Sequence, residues 1–289
     1  MFDFYITALI LGLCLSAMAT GIFISMKIFH IPDITTDGSY TLGAVVTAIC
    51  ITKGWHPLVT LPVVMVIGAL AGTITGLIHT KLKIDALLSG ILVMTALYSI
   101  NLTLLGRSNV PLLNVKTIFN SFSLFNNENY QQLFIILILV LMIVFSIAYI
   151  LKTDFGLSMR AVGDSPSMTK ALGINNDAMK ITGLAIANSL TATSGYLVAQ
   201  YQNYTDINMG IGIVITGLGS VLIADTIIAR FSIQNVILQL AIVAMGCIIF
   251  QQVLAFALTL GIDPKLLKLI TAVFVLSIVS LTRLSSLRK

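Results

Sequence analysis

Residues 129–151, NYQQLFIILILVLMIVFSIAYIL, carry no Asp, Glu, Lys or Arg over 23 positions. Wound as an α-helix at about 1.5 Å per residue, the run reaches about 34 Å, enough to cross a hydrocarbon core of roughly 30 Å. It is continuously apolar and lacks the alternation over roughly ten residues that a membrane barrel strand needs. The stretch is therefore read as a transmembrane helix, and the same reading extends outward. Uncharged stretches at 4–26, 54–80, 86–106, 181–205 and 231–262 are also long enough to span. Three more, at 38–52, 207–224 and 269–282, are shorter or more polar and are candidates for broken or re-entrant helices. The predicted fold is an all-α polytopic transmembrane helical bundle of about nine spans, with residues 1–289 forming one membrane domain.

Composition points the same way. Hydrophobic residues make up 57% of the 289 and charged residues 9%, with a mean hydropathy of +1.03. Ordinary soluble domains hold about 45–50% and about 25%. The 27 charged side chains cannot cover a water-soluble body of 31.1 kDa. A net charge of +5 would suit a nucleic-acid binder, but the basic residues stand singly between apolar runs. They are read as topology signals, and no nucleic-acid partner is expected. With the N-terminus outside and the C-terminus inside, eleven basic residues (Lys27, Lys81, Lys83, Lys152, Arg160, Lys170, Lys180, Arg230, Arg283, Arg288 and Lys289) lie inside, against five outside (Lys53, Arg107, Lys116, Lys265 and Lys268). Basic residues favour the cytoplasmic side, so this orientation is preferred to its mirror image.

Candidates for chemistry are few. Cys14, Cys50 and Cys247 sit in apolar runs without a CxxC pair, so no disulfide framework or metal site is expected. His30, His56 and His79 are far apart, belong to no HExxH motif and lie near predicted span ends. No Ser/His pairing stands out, and no catalytic residue is assigned. Ala17-Met18-Ala19 looks like a signal cleavage site, but the lead Met-Phe-Asp-Phe has no basic region and the apolar run is too long, so it is read as the first span.

Two Gly-bearing turns echo each other. Asp33-Ile34-Thr35-Thr36-Asp37-Gly38 follows the first span, and Asp206-Ile207-Asn208-Met209-Gly210 follows the sixth. The charge bias puts the first at the inner face and the second at the outer. An inverted repeat with interrupted helices would give that pattern, as would chance. Gly68, Gly72 and Gly76 repeat at four-residue spacing, a stripe that lets another helix approach closely. Asp33, Asn101, Asn188, Thr191, Ser194 and Asp206 are candidates for lining a translocation pathway, the alternative being hydrogen bonds between helices.

The longest polar segment on the inner side is 152–180. Asp164 or Ser165 can cap a short helix there, Pro166 suits its first position, and Gly173 suits a left-handed stop. The predicted helix is 166–172, about 10 Å long. The segment resembles the cytoplasmic coupling loop of ABC importer permeases of the branched-chain amino acid and ribose type, whose pattern is Gly-x-x-x-Arg-Ala-x-Gly-x-(Asn/Ser)-Pro followed by Gly-Ile. Gly156, Arg160, Ala161, Gly163, Pro166, Gly173 and Ile174 fall on it, with Asp164 and Lys170 inside the same stretch. The turn from Asp33 to Gly38 and the stripe Gly72-x-x-x-Gly76 are similar to weaker marks of that family. Among its members, the likeness is greatest to small amino-acid permeases of the tryptophan or tyrosine kind.

That resemblance implies a bacterial cell-membrane protein translocating a small solute, an amino acid and one with an aromatic side chain in the first instance. It implies a second permease subunit forming a homodimer, a cytoplasmic ABC ATPase dimer, an extracellular substrate-binding protein, and contact with membrane lipid. The coupling residues it implies are Gly156, Arg160, Ala161, Gly163, Asp164, Pro166, Lys170 and Gly173. No Gly-x4-Gly-Lys-Ser/Thr loop is present, so no cofactor is assigned to this chain, and ATP and Mg fall to the partner ATPase. The rivals are an ion-coupled carrier and a structural subunit of another membrane complex. An ion-coupled carrier usually places carboxylates inside its spans; on the sequence, Asp225 is the one acid with room to sit there, and lying five residues before Arg230 it is read instead as marking the inner end of its span, a candidate to pair with that Arg.

The orientation carries its own test. A fluorescent reporter fused after Lys289 should fold and glow in the cytoplasm, while alkaline phosphatase at the same point should stay inactive. Phosphatase activity there would invert the topology.

Overall fold

The computed structural model describes residues 2–113, 115–120 and 128–287. It contains α1 (Phe2–Ile22), which continues as a π-helical stretch Phe23–Ile28, then α2 (Thr35–Thr52), α3 (Pro57–Lys81), α4 (Ala86–Leu105), β1 (Asn109–Pro111), α5 (Glu128–Lys152), α6 (Asp154–Asp164), α7 (Pro166–Ala171), α8 (Asn176–Gln202), β2 (Tyr204–Asp206), α9 (Ile213–Phe231), α10 (Val236–Thr259) and α11 (Leu267–Leu287). Local chemistry sets several boundaries. Asp85, Asn175 and Asn235 accept backbone N–H groups from the first turns of α4, α8 and α10. Left-handed residues, Gly106 at φ 70° and Asn203 at φ 57°, end α4 and α8.

Among the described residues, six helices are long and apolar enough to cross a membrane: α1 with its π-helical extension, α3, α4, α5, α9 and α10. A further strong span of the sequence, 181–205, falls on α8, a helix of 27 residues that is long enough to cross but more polar than these six and buried among other helices. Residues 188–200 of α8 are all buried, as are residues 35–48 of α2. A helix wrapped by other helices has no lipid contact, so its side chains need satisfied hydrogen bonds more than apolarity. The α8 hydroxyls meet that need locally: Thr191 donates to the Ala187 carbonyl at 3.0 Å and Thr193 to Ser189 at 2.9 Å.

α8 is the axis of the bundle. It packs on α3, α2 and α1; α1 packs in turn on α10 and α5, α4 covers α2 and α3, and α9 lies between α10 and α11. Contact along α3 is made through Gly68, Gly72 and Gly76. A Cβ on Gly76 would stand 2.8 Å from the Cα of Ile181, and one on Gly72 would overlap the carbonyl of Leu184. Small residues let the two backbones touch, which gives dispersion and packing energy where lipid offers no hydrophobic drive.

Several expectations are corrected. The candidate broken segment 207–224 divides into a turn at 207–212 and the full helix α9, whose start is delayed by Gly212 at φ 82°. The segment 38–52 belongs to α2, which begins at Thr35. The all-helical architecture stands, with one addition outside the helices: β1 and β2, three residues each, pair antiparallel with Val110 opposite Thr205. Asp225 bonds Lys27 at 2.7 Å and makes no ion pair with Arg230. Asp33 and Asp37, read as an inner-face turn, are buried in the bundle at 4% and 7% exposure. Lys289, Arg288 and residues 121–127 lie outside the described residues.

Replacing Gly72 by Leu should force α3 off α8 and cost at least about 1–3 kcal/mol, read as a lowered apparent Tm of the detergent-solubilised chain. Leu70→Ala, on the same helix at a position 57% exposed, should stay within about 0.5 kcal/mol of the parent. Equal losses from the two would remove the packing role of the stripe.

Candidate functional site

Two regions at different heights along α8 gather the polar residues. The first lies at the end of the bundle where α8 begins. Thr153 caps α6, its side chain accepting the Gly156 N–H at 3.4 Å. Gly156 presses on the backbone of Ile150 and Leu151, and Gly163 lies against the carbonyl of Ile28, so a side chain at either position would overlap backbone. Met159 and Val162 are fully buried. These residues mount α6 on α1 and α5.

After α6 the chain turns at Ser165 into α7, which ends at Ala171, one residue before the predicted stop; Leu172 and left-handed Gly173 (φ 81°) complete the turn. Neither Asp164 nor Ser165 caps α7 with its side chain. Instead α7 is tied to the next helix: Thr169 Oγ1 donates to Asn176 Oδ1 at 2.9 Å, and Asn176 Nδ2 donates to the Pro166 carbonyl at 2.7 Å. With Thr169 turned inward, α7 leaves Met168 and Leu172 64% and 70% exposed. Pro166, Lys170 and Gly173 are exposed beside them, and Ala161 is half-buried. The residues singled out in this segment thus divide. Gly156, Arg160 and Gly163 face the bundle, whereas Pro166, Lys170 and Gly173 face outward.

The second region is the middle of the bundle. Asp33 Oδ1 accepts the Thr35 N–H at 2.9 Å and Oδ2 accepts Asn188 Nδ2 at 2.7 Å, while Asn188 Oδ1 accepts Ser39 Oγ at 2.6 Å. Four residues on, Asp37 reaches across to α9: Oδ2 accepts from Gly212 N at 2.8 Å and Oδ1 from Val214 N at 2.9 Å. The amino ends of α2 and α9 therefore converge, each with a carboxylate on its free N–H groups. The two echoing turns of the sequence are in contact here, Gly210 packing on the Asp37 carbonyl and Thr41.

Asn101 of α4 completes the region. Its Nδ2 donates to the Gly38 carbonyl at 3.3 Å, but among the described residues its buried Oδ1 has no partner. It borders a recess of about 20 Å³ shared with Asp37, Thr41, Tyr98 and Ile211, room for about one water. Of the other pathway candidates, Thr191 and Ser194 are buried between helices, Ser194 Oγ donating to the Cys14 carbonyl at 2.7 Å. Asp206 braces the β end by accepting from Asn208 N at 2.8 Å and Asn109 Nδ2 at 3.3 Å. Asp37, Thr41 and Tyr98 border this recess without standing among the pathway candidates of the sequence. An acid in the first turn of a helix ordinarily reads as a cap for that helix, and nothing local says that Asp37 serves another.

The sequence pattern of the family described as branched-chain amino acid transport system, permease component, matches residues 4–279. The chain is 40% identical over 279 residues to the tyrosine transport system permease protein of Clostridioides difficile, covering 96% of this chain and 91% of that one. It is 32% identical over 286 residues to an uncharacterized protein of Rickettsia prowazekii, 98% of each chain being covered. It is 27% identical over 210 residues to a probable branched-chain amino acid transport permease of Methanocaldococcus jannaschii, over 68% of this chain and 65% of that one. No solved structure matches it.

Asp37→Ala should leave the first N–H groups of α9 without acceptors and lower stability by about 1–3 kcal/mol. Asp37→Asn keeps one acceptor oxygen and should lose roughly half as much, both read as apparent Tm in detergent. An alanine variant as stable as the parent would show that the carboxylate does not hold α9.

Proposed function

Because the chain belongs to the branched-chain amino acid transport permease family, we propose that it is the transmembrane subunit of an ATP-driven importer, moving a small amino acid, aromatic in the first instance, delivered by an extracellular binding protein. In this reading two copies form the permease, an ABC ATPase dimer sits beneath them in the cytoplasm, and ATP and Mg are bound there. The N-terminus is outside, so the end of the bundle carrying α6 and α7 faces the ATPases. The tyrosine permease relative supports the choice of solute class.

The observation that carries the proposal is the contrast within α7. Met168 and Leu172 stand out as an apolar knob on the polar end of the bundle, while Thr169 beside them is buried and bonded to the first turn of α8. A helix of six residues has little stability of its own, yet this one is fixed at both ends. It is built to receive force and pass it on. Closure of the ATPase pair pushes α7, Asn176 carries the push to α8, and α8 shifts the helices packed on it between outward- and inward-open arrangements.

The buried carboxylates Asp33 and Asp37 are the observation that favours an ion-coupled carrier. Each oxygen of both carboxylates already accepts a hydrogen bond, from Thr35 and Asn188 in one case and Gly212 and Val214 in the other. Groups so engaged serve the fold, and the ATP-driven reading stands ahead.

Gly163, seated on the Ile28 carbonyl, is a poor place to test coupling, because any side chain there displaces α6 itself. Met168→Asp and Leu172→Asp change only exposed positions. Each should leave membrane insertion and apparent Tm unchanged while weakening ATPase association by about 2 kcal/mol or more, roughly thirty-fold, and lowering substrate-stimulated ATP hydrolysis in the reconstituted complex. Full stimulation in the double variant, or uptake that a protonophore abolishes and ATPase inactivation does not, would overturn the proposal.

A further inference from the structure

One cavity is used by none of the contacts described so far. At the α6 end of the bundle, a space of about 230 Å³ lies between the π-helical end of α1, the last turn of α5, α6 and the first turn of α10. At about 30 Å³ per water in the liquid, it has room for a small organic molecule. One wall is apolar, made by Phe23, Ile28, Leu151 and Val236. The lining also carries charge of both signs, Arg160 and Asp164.

Those two residues stand four apart on α6, the spacing at which opposite charges normally pair across a helix turn. They do not pair. Among the described residues neither side chain has a hydrogen bond or ion-pair partner, and Arg160 Nε is buried without an acceptor. Lys27, on the rim, is already committed to Asp225 at 2.7 Å. A buried guanidinium N–H without an acceptor is costly, and its natural complement is a planar anion that takes two N–H groups of the fork. Asp164, exposed and equally unmatched, offers a carboxylate to a cation at the mouth of the same space.

We infer that this cavity binds a free α-amino acid. The ligand carboxylate accepts from Arg160, its ammonium donates to Asp164, and its side chain lies on the wall of Phe23 and Val236. Gln239 donates its Nε2 hydrogen to the Ile233 carbonyl at 2.8 Å, which leaves its Oε1 to accept from a ligand hydroxyl such as a phenol. The zwitterion fits better than a phosphate, because the charges around the cavity balance: Lys27 with Asp225, and Arg160 with Asp164. In the orientation proposed above the cavity faces the cytoplasm, so its occupant is transported product. A ligand there bridges α6, the mount of α7, to α1 and α10, which links product concentration to the position of α7. The ligand class rests on the amino-acid reading of the solute; the unmatched charges and the cavity do not.

The test uses the full chain in phosphatidylcholine nanodiscs, without ATPase or binding protein, titrated calorimetrically with each of the common L-amino acids, L-tyrosine among them, and with tyramine and inorganic phosphate. Saturable binding of at least one amino acid is expected, with tyramine, which lacks the carboxylate, at least about ten-fold weaker. Arg160→Gln and Asp164→Asn should each weaken that binding by about ten-fold or more. Asp164 is exposed, so its variant keeps the test valid should Arg160→Gln unfold the chain. The inference falls if no amino acid binds, if Asp164→Asn binds as the parent does, or if only inorganic phosphate or added phosphatidylglycerol binds in an Arg160-dependent way. Uptake by the assembled transporter is measured separately: amino-acid uptake without this binding sinks the inference alone, whereas uptake of a sugar and no amino acid sinks the proposed function.

Discussion

A carboxylate in the middle of an apolar bundle has to find donors or destabilise the fold, and Asp37 finds them on the far half of the chain. Its two oxygens take the N–H groups of Gly212 and Val214, so α2 and α9, distant in sequence, are joined where both begin. Helix amino ends carry partial positive charge and unsatisfied N–H groups. An acid shared by two such ends satisfies the electrostatic needs of all three. Asp33 repeats the arrangement one turn earlier through Thr35 and Asn188. Both acids therefore bind α2 to its neighbours, Asp33 to α8 and Asp37 to α9, and leave α2 little freedom to move alone.

Around that junction the constraint is distance. Hydrogen bonds of 2.6–2.9 Å from Ser39, Asn188 and Thr35 require the backbones of α2 and α8 to lie almost in contact, and Thr35 Oγ1 lies 2.8 Å from Thr75 Oγ1 of α3. The glycines permit it: Gly43 meets the Ala192 carbonyl, Gly72 that of Leu184 and Gly195 that of Tyr40. Small residues and buried polar groups thus depend on each other. Without the glycines the donors could not reach; without the donors the closely packed centre would hold unpaired carboxylates. Interiors packed this way transmit displacement instead of absorbing it.

Much of this was legible. Runs such as 129–151 declared the spans because the bilayer sets a length and a polarity that few sequences meet by accident. Pro166 and Gly173 marked the ends of α7, since each restricts the backbone in its own way. The centre was harder to read for a physical reason. Burial inside a bundle reverses the usual signal: α8 is polar because lipid never touches it, so hydropathy describes its residues without locating them. Asp37 stands in the first turn of its own helix, and only the folded chain brings Gly212 to it. Arg160 and Gly163 fell on a recognisable pattern, yet the pattern did not say which way they face. They turn toward Ile28 and Leu151, while Met168 and Leu172, which no motif marked, form the outward surface.

This division of labour explains how so short a helix as α7 can matter. Its exposed side chains, Met168 and Leu172, take no part in the hydrogen bonds that hold it, and Thr169, which does, is buried. Thr169 and Asn176 join the two roles at 2.9 Å, and behind Asn176 runs a single helix of 27 residues, about 40 Å long. Asn188, twelve residues along the same helix, holds Asp33, which fixes the start of α2, and Asp37 one turn further holds α9. A displacement at α7 therefore meets no loop or cavity before it reaches the buried acids. Stiffness along α8 and short hydrogen bonds at each junction tie the end of the bundle to its centre, so that a shift of α8 would carry with it α1, α2 and α3, the helices packed on it.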